Sequence, residues 1–221
     1  MQKVNQIERP ATLNGLAYKE IKNLLVTGQL KFNTLYSANQ FAEILGVSRT
    51  PVREALLQLT NEGCLISVQG QGFKIKEYSE KEIKDFFETR KMIESYVVER
   101  LCRSLPGPDM KQPGESLKLM VERAKGKGDT YGFLEADEDF HLNLVRQYNN
   151  FLLVSYIQNI RDLISLFGGK ALVYKERFEE VIHEHNLILE ALKEKNEKKA
   201  IESVAYHLDM TERYLLESSN K

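Results

Sequence analysis

No stretch of this sequence approaches the roughly 18 consecutive apolar residues that a membrane-spanning helix needs. The first residues, MQKVNQIERP, also lack the apolar centre of a signal peptide, so we expect a cytoplasmic protein without membrane contact. Cysteine is scarce, and Cys64 and Cys102 stand in no metal-binding or redox motif. Their isolation favours two buried thiols, although a single disulfide would also fit.

A strong excess of one charge is missing as well. The net charge is −1, which by itself indicates no partner. Its distribution is uneven, because residues 1–76 contain nine Lys and Arg against five Asp and Glu, and the acidic excess lies in the remainder. A basic segment on an acidic body is typical of a nucleic-acid-binding module attached to another domain.

Apolar periodicity in the first part of the chain predicts three helices followed by a β-hairpin. Residues 14–27 and 37–46 have the spacing of amphipathic helices. A third helix is expected to begin at Ser48 or Thr50, with Thr50 as its N-cap and Pro51 in its first position. The segment CLISVQGQGFKIKEY then predicts a hairpin that turns at QGQG.

The rest of the chain shows helical periodicity and no strand pattern. PGPDMKQPG is expected to be a loop, and YNN and FGG are expected to separate helices. The predicted helices cover residues 79–105, 115–126, 129–148, 150–167, 174–194 and 196–217. We therefore predict a mainly α protein whose second domain, residues 77–221, is an all-α bundle of about six helices.

The second and third predicted helices, joined by the tight turn LGV, form a helix-turn-helix, and the hairpin after them is a wing. Arg49 and Arg53 lie one turn apart on the third helix, and arginine can fork onto guanine or grip a phosphate. Ser48 and Thr50 stand where free helix N–H groups also favour phosphate. Residues 1–76 are thus predicted to be a winged helix-turn-helix domain. The alternative is that both arginines are ordinary solvated charges.

All four histidines of the chain lie in the second domain. Asp137 precedes His141 by one helical turn, so both face the same way. Helical spacing puts His185 on the inward face and His183 on the opposite face, while His207 follows the apolar stripe of the last helix. One carboxylate and three imidazoles inside a bundle suit Zn²⁺, Ni²⁺ or Mn²⁺. The alternative is three separately satisfied core histidines.

The segment FAEILGVSRTPVREALLQLTNEGCLISVQGQGFKI closely resembles the winged helix-turn-helix of GntR-type bacterial transcriptional regulators, and the likeness covers about residues 14–76. The matching patterns are G-V-S-R-x-P-V-R-E-A-L, L-x-x-E-G and G-x-G-F. This resemblance implies DNA contacts by Ser48, Arg49, Thr50, Arg53, Gly70, Gln71 and Gly72. The chain departs from the family at Phe32-Asn33, where Pro-Gly is common, and at Asn39, where a charged residue is common.

The helical body resembles the FCD ligand-binding domain of the FadR branch of these regulators, through TRKMIESYVVERL, D-x-x-x-H-x-x-L, E-H-x-x-I-x-x-A-L and a late H-L. The resemblance implies a divalent metal held by Asp137, His141, His185 and His207, with a small organic acid at the remaining coordination positions. It implies that Arg90 grips the carboxylate of that acid, the alternative being a surface ion pair. About six helices would make the body closer to the VanR-type subgroup than to the seven-helix FadR type.

These features predict a ligand-responsive transcriptional regulator, more commonly a repressor in this family, that binds a two-fold operator as a homodimer. One alternative is a metal sensor without an organic effector. A second is a metal-dependent enzyme fused to a DNA-binding module. No nucleophile motif or separate general base accompanies the histidines, so we expect no enzyme.

Overall fold

The computed structural model describes residues 12–104, 106–125, 129–172 and 175–219. They form two compact units, one of residues 12–25 and 30–76, the other of residues 26–29 and the described residues from 77 onward. The first unit contains helices and a two-stranded sheet, and the second is helical. The chain is therefore mainly α, as its periodicity predicted.

The N-terminal unit has the predicted order of elements. Its helices are α1 (Leu13–Val26), α2 (Ala38–Leu45) and α3 (Arg49–Asn61), and its strands are β1 (Leu65–Val68) and β2 (Gly72–Ile75). The strands pair antiparallel, with Leu65 opposite Ile75 and Val68 opposite Gly72. Fully buried Val52, Ala55, Leu56 and Leu59 form the inner face of α3. The opposite face of the helix is thereby left to solvent.

Capping positions mark the two ends of α2 and the start of α3. Ser37 and Gln40 form a reciprocal capping box at the start of α2, and Gly46 ends it at φ 64°. Ser48 is the N-cap of α3, so the prediction that Thr50 caps this helix is wrong. Pro51 is instead the third helical residue. Its missing N–H costs no intrahelical hydrogen bond there, because the first four N–H groups of a helix have no intrahelical partner.

Asn33 explains how the chain tolerates its departure from the Pro-Gly pattern. Its φ is 57°, in the left-handed region that favours glycine. Asparagine is one of the few other residues that enters this region readily. The turn that follows α1 therefore keeps a conformation that the common glycine would also adopt.

Six helices form the C-terminal unit within the described ranges, the number that the periodicity predicted. They are α4 (Glu80–Arg103), α5 (Lys111–Arg123), α6 (Thr130–Gln147), α7 (Phe151–Ala171), α8 (Lys175–Lys193) and α9 (Glu197–Ser219). The main packed pairs are α4 with α9, α5 with α6, and α8 with α9. From Glu77 onward, none of the described residues lies in a strand. None of the described helices combines the length and apolar content of a bilayer-crossing segment.

Two predicted boundaries in this unit are wrong. α5 begins at Lys111, inside the predicted PGPDMKQPG loop, because Pro113 occupies the first helical turn, where proline is tolerated. α7 continues to Ala171 through FGG, where a break was expected. A glycine weakens a helix by about 1 kcal/mol but does not by itself end it. Cys64 and Cys102 are both buried and are not joined in a disulfide, as their isolation favoured.

Candidate metal centre and nucleic-acid interface

Three helices of the C-terminal unit bring the predicted histidines into one buried cluster. Asp137 and His141 lie on α6, His185 on α8 and His207 on α9, and all four are buried. One potential ligand atom from each lies within 4.8 Å of the others. His183, two residues from His185 on α8, is exposed, as its helical position predicted.

The Nε2 atoms of the three rings point at one another. His141 Nε2 lies 3.2 Å from Nε2 of His207 and 3.2 Å from Nε2 of His185. His185 Nε2 is also 3.2 Å from Oδ1 of Asp137. The cluster is therefore one constellation of three ring nitrogens and a carboxylate, and the interpretation of three separately satisfied core histidines is wrong.

The opposite nitrogen of each ring faces a hydrogen-bond acceptor. His141 Nδ1 lies 2.6 Å from Oε2 of Glu94, and His207 Nδ1 lies 2.8 Å from Oε2 of Glu184. His185 Nδ1 donates to the Val181 carbonyl oxygen at 2.7 Å. Each neutral ring accordingly carries its proton on Nδ1 and presents a lone pair at Nε2.

Converging lone pairs of this kind fit a cation. Two nitrogens that are 3.2 Å apart and lack a proton between them repel each other, and the Asp137 carboxylate adds negative charge. A shared proton or a metal ion among the four groups relieves that repulsion. Three imidazoles and one carboxylate, with their outer nitrogens hydrogen-bonded, are a donor set that divalent transition metals accept.

Electrostatics favour the ligating protonation state at neutral pH. Burial lowers the pKa of His141 and of His207, so both rings stay neutral. Burial alone would raise the pKa of Asp137, but the contact with His185 and the other nearby imidazoles outweigh it and leave the pKa far below its usual value. Burial likewise opposes ionisation of Glu94, yet Arg90 and His141 lower its pKa to about 2.

The sequence pattern did not single out the residues behind the rings. Glu94 follows Arg90 by one turn of α4 and is 2% exposed, while Glu184 directly precedes His185 and faces Arg177. Arg177 is itself 1% exposed. An i, i+4 charge pair on an otherwise apolar helix face was the available signal for Glu94. No such local pattern indicated Arg177, because its partner Glu184 lies seven residues away in the sequence.

Arg90 is buried, so its interpretation as a surface ion pair is wrong. Its Nε donates to Oε1 of Glu94 at 2.7 Å, and the other oxygen of Glu94 holds His141. No hydrogen bond among the described residues engages the two terminal nitrogens of Arg90. The Glu94 carboxylate lies between Arg90 and the cluster, and the terminal nitrogens of Arg90 can bind an additional anion.

The N-terminal unit presents a separate, polar surface. Ser48, Arg49, Thr50 and Arg53 are all exposed at the start of α3, and no ion pair among the described residues engages the two arginines. A groove of about 470 Å³ lies between this helix end and the hairpin, lined by Arg49, Arg53, Gly70, Gln71 and Gly72 among others. Each arginine taken alone has the exposure of an ordinary solvated charge, the alternative given above. Both arginines, however, line the same groove.

The wing positions Gly70 and Gly72 require glycine for different structural reasons. Gly70 has φ 71° at the hairpin turn, and a Cβ there would meet no atom within 4 Å. Gly72 has φ 130°, and a Cβ there would lie 2.5 Å from the carbonyl oxygen of Tyr36. Phe73 exchanges both backbone hydrogen bonds with Tyr36 at this point. Glycine at position 72 is therefore required by this close backbone contact within the fold, independently of any DNA contact of the wing.

The sequence matches two family models. Residues 14–75 match bacterial regulatory proteins of the gntR family, and residues 85–210 match the FCD domain. A gluconate operon transcriptional repressor from Bacillus licheniformis is 27% identical over 195 residues, 86% of this chain and 79% of that protein. The HTH-type transcriptional regulator McbR of Escherichia coli strain K12 is 27% identical over 183 residues, 81% of each chain.

A solved structure shares the whole fold. The E. coli McbR/YncC structure aligns with a TM-score of 0.75 over 96% of this chain and 100% of that chain, at 23% identity. The two matched domains and their order agree with the resemblance seen in the sequence. The chain belongs to the GntR family of bacterial regulatory proteins, in the branch that pairs the winged helix-turn-helix with an FCD domain.

Proposed function

We propose that this protein is a transcriptional regulator that binds operator DNA and whose FCD domain binds a divalent metal and a small carboxylate. The observation that carries the proposal is the convergence of Asp137 with three Nε2 atoms in a member of the GntR family. The domains of this regulator are residues 1–76 and 77–221. Such a regulator acts in the cytoplasm, is a DNA-binding protein and is no enzyme.

The exposed start of α3 is the reading element of this proposal. Arg49 and Arg53 enter the major groove, where each forks onto a guanine or a phosphate, and the free N–H groups of the helix start receive phosphate oxygens. The wing approaches the adjacent backbone. The proposed contacts are Ser48, Arg49, Thr50, Arg53, Gly70, Gln71 and Gly72. A homodimer would place two such elements on a two-fold operator.

The metal ligands in this proposal are Asp137, His141, His185 and His207, with Zn²⁺, Ni²⁺ or Mn²⁺ as the ion. When bound, the ion supplies Lewis-acid positions that a carboxylate oxygen can occupy. The protein orients the three rings through their Nδ1 protons, and burial lowers the pKa of His141 and His207, which keeps those two neutral. The six helices in the described part of the body support the VanR-type subgroup.

Arg90 favours an organic effector over a pure metal sensor. Its terminal nitrogens engage no described hydrogen-bond partner, and a buried arginine donor is well matched to a carboxylate. Binding of that anion can change DNA affinity only as far as its affinity differs between the two DNA-binding states. The name of the B. licheniformis relative, a transcriptional repressor, supports repression as the mode.

Native purification tests the proposal directly. Metal analysis of the protein should find close to one divalent transition metal per chain, and mass spectrometry of the released small molecules should find a carboxylic acid. Selection from random duplex DNA should enrich an inverted repeat, and the recovered acid should change its affinity. Absence of any enriched sequence would refute the regulator, whereas an enriched sequence with metal but no acid response would favour the metal sensor.

A further inference from the structure

A buried network behind His207 fixes the orientation of its ring. Nδ1 of His207 lies 2.8 Å from Oε2 of Glu184. Glu184 is 3% exposed, and Arg177 holds both of its carboxylate oxygens, Nη1 on Oε1 and Nη2 on Oε2 at 3.0 Å. A carboxylate held in this two-pronged way cannot rotate out of reach of the ring without breaking the ion pair.

The same network closes on α9, the helix of His207. Nη2 of Arg177 donates to Oγ1 of Thr211 at 3.1 Å, and Thr211 donates to the backbone carbonyl of His207 at 2.9 Å. The guanidinium also lies over the ring of Tyr214, 4.8 Å from its centroid. Arg177 is therefore fixed from both helices, and it fixes Glu184 in turn.

We propose that Glu184, held by Arg177, is the positioning residue that sets the tautomer and direction of His207 within the metal centre. This inference rests on the proposed function. The carboxylate accepts the Nδ1 proton, so the lone pair of the ring lies at Nε2, 3.2 Å from Nε2 of His141. A carboxylate behind a ligating imidazole typically improves metal affinity about 10- to 100-fold.

Glu184→Gln is the direct test. We expect the amide oxygen to take the position of Oε1, where Arg177 approaches most closely through Nη1, and the NH₂ group to take the position of Oε2, facing Nδ1 of His207 and Nη2 of Arg177. A donor at that place favours the tautomer with the proton on Nε2, which cannot ligate through that atom. We expect Zn²⁺ affinity, measured by chelator competition at pH 8, to fall about 10- to 100-fold.

Glu180→Gln is the matched control. Glu180 lies one turn earlier on α8 and accepts from the same Arg177 nitrogen at 3.3 Å, but it contacts no histidine of the cluster. The substitution removes the same charge, and Zn²⁺ affinity should stay within about twofold of wild type. Equal loss in both variants, or wild-type affinity in Glu184→Gln, would overturn the proposal.

A second readout does not depend on metal. Nitrogen NMR of the imidazoles in metal-free protein at pH 8 should show His207 protonated on Nδ1 in the wild type and in Glu180→Gln, and protonated on Nε2 in Glu184→Gln. An unchanged tautomer would refute the positioning role. If wild-type protein binds no metal, the proposed metal centre fails, but this measurement still decides the role of Glu184.

A double variant covers the case in which Glu184→Gln does not fold, since that substitution removes the buried negative charge that pairs with Arg177. Arg177→Met with Glu184→Leu removes both charges together, a replacement that buried ion pairs tolerate. Nδ1 of His207 then loses its acceptor. The same affinity loss is expected, and wild-type affinity in the folded double variant would refute the proposal.

Discussion

Nδ1 of His141 lies 2.6 Å from Oε2 of Glu94, and both side chains are 2% exposed. Arg90 completes this arrangement, because its Nε lies 2.7 Å from the other oxygen of Glu94. A buried carboxylate between an arginine and an imidazole stays ionised and keeps its acceptor aimed at the ring. The ring of His141 thereby directs its Nε2 toward the other two cluster histidines. Glu94 and His141 lie far apart in the sequence, so no local sequence pattern predicts their contact.

Removal of one cluster histidine should abolish tight metal binding. His185→Ala deletes a ring that contacts both His141 and Asp137, and we expect Zn²⁺ affinity to fall at least about 100-fold, since a whole ligand is lost rather than its outer partner. Chelator competition measures the effect. His183→Ala, on the exposed face of the same helix, is the control and should bind like wild type. Equal affinities in the two variants would contradict the assignment of the ligands.

The metal-free protein should lose stability as the pH falls below neutral. Burial lowers the pKa of His141 and His207 below 6.5, so the unfolded chain takes up protons first on acidification. The free energy of unfolding should thus decrease as the pH falls below about 6.5, by about 1.4 kcal/mol for each unit of pKa difference per histidine. Urea unfolding at pH 7.5 and 5.5 measures this decrease.

Glu94 gives that profile a second, more acidic step. Its folded pKa is about 2 against 4.5 for the ordinary group, so the stability it contributes is complete above about 4.5 and disappears as the pH falls toward 2.

A metal-free protein equally stable at pH 7.5 and 5.5 would show that the buried histidines are not held neutral.

The two arginines at the start of α3 should carry DNA affinity. Arg49→Ala and Arg53→Ala should each weaken binding to the selected operator by about 1–3 kcal/mol, since each loses a forked contact with a base or phosphate. Lys19→Ala removes another exposed cation of the same unit, on α1, and should change affinity little. Fluorescence anisotropy at several salt concentrations measures both affinity and salt slope. Wild-type affinity in both arginine variants, or a flat salt titration, would contradict the reading-helix assignment.

Alanine at the two wing glycines should separate strain from steric conflict. Gly70→Ala places a side chain at φ 71° in open space and should cost about 1–2 kcal/mol from backbone strain alone. Gly72→Ala should cost more, because its Cβ would also approach the Tyr36 carbonyl to 2.5 Å. Denaturant unfolding of the full chain measures both. A smaller loss for Gly72→Ala than for Gly70→Ala would disprove the close contact.

Local patterns were sufficient for the elements and their order. The order of three helices and a hairpin in the N-terminal unit and the six helical stretches of the body follow from neighbouring residues, and the structure contains them. Boundaries were less secure. The N-cap of α3 is Ser48 rather than Thr50, and α7 continues through FGG, because the preference of a single residue is worth only about 1 kcal/mol and the rest of a helix can outweigh it.

The sequence by itself determined that Asp137 and His141 share a helix face and that His185 and His207 point inward, since a 3.6-residue repeat fixes direction within one helix. Only the tertiary structure decided that these four meet within 4.8 Å, and that Glu94 and Glu184 stand behind two of the rings. The reason is physical: helical periodicity sets which way a side chain faces, but the rotation and spacing between packed helices come from the shape of the whole core.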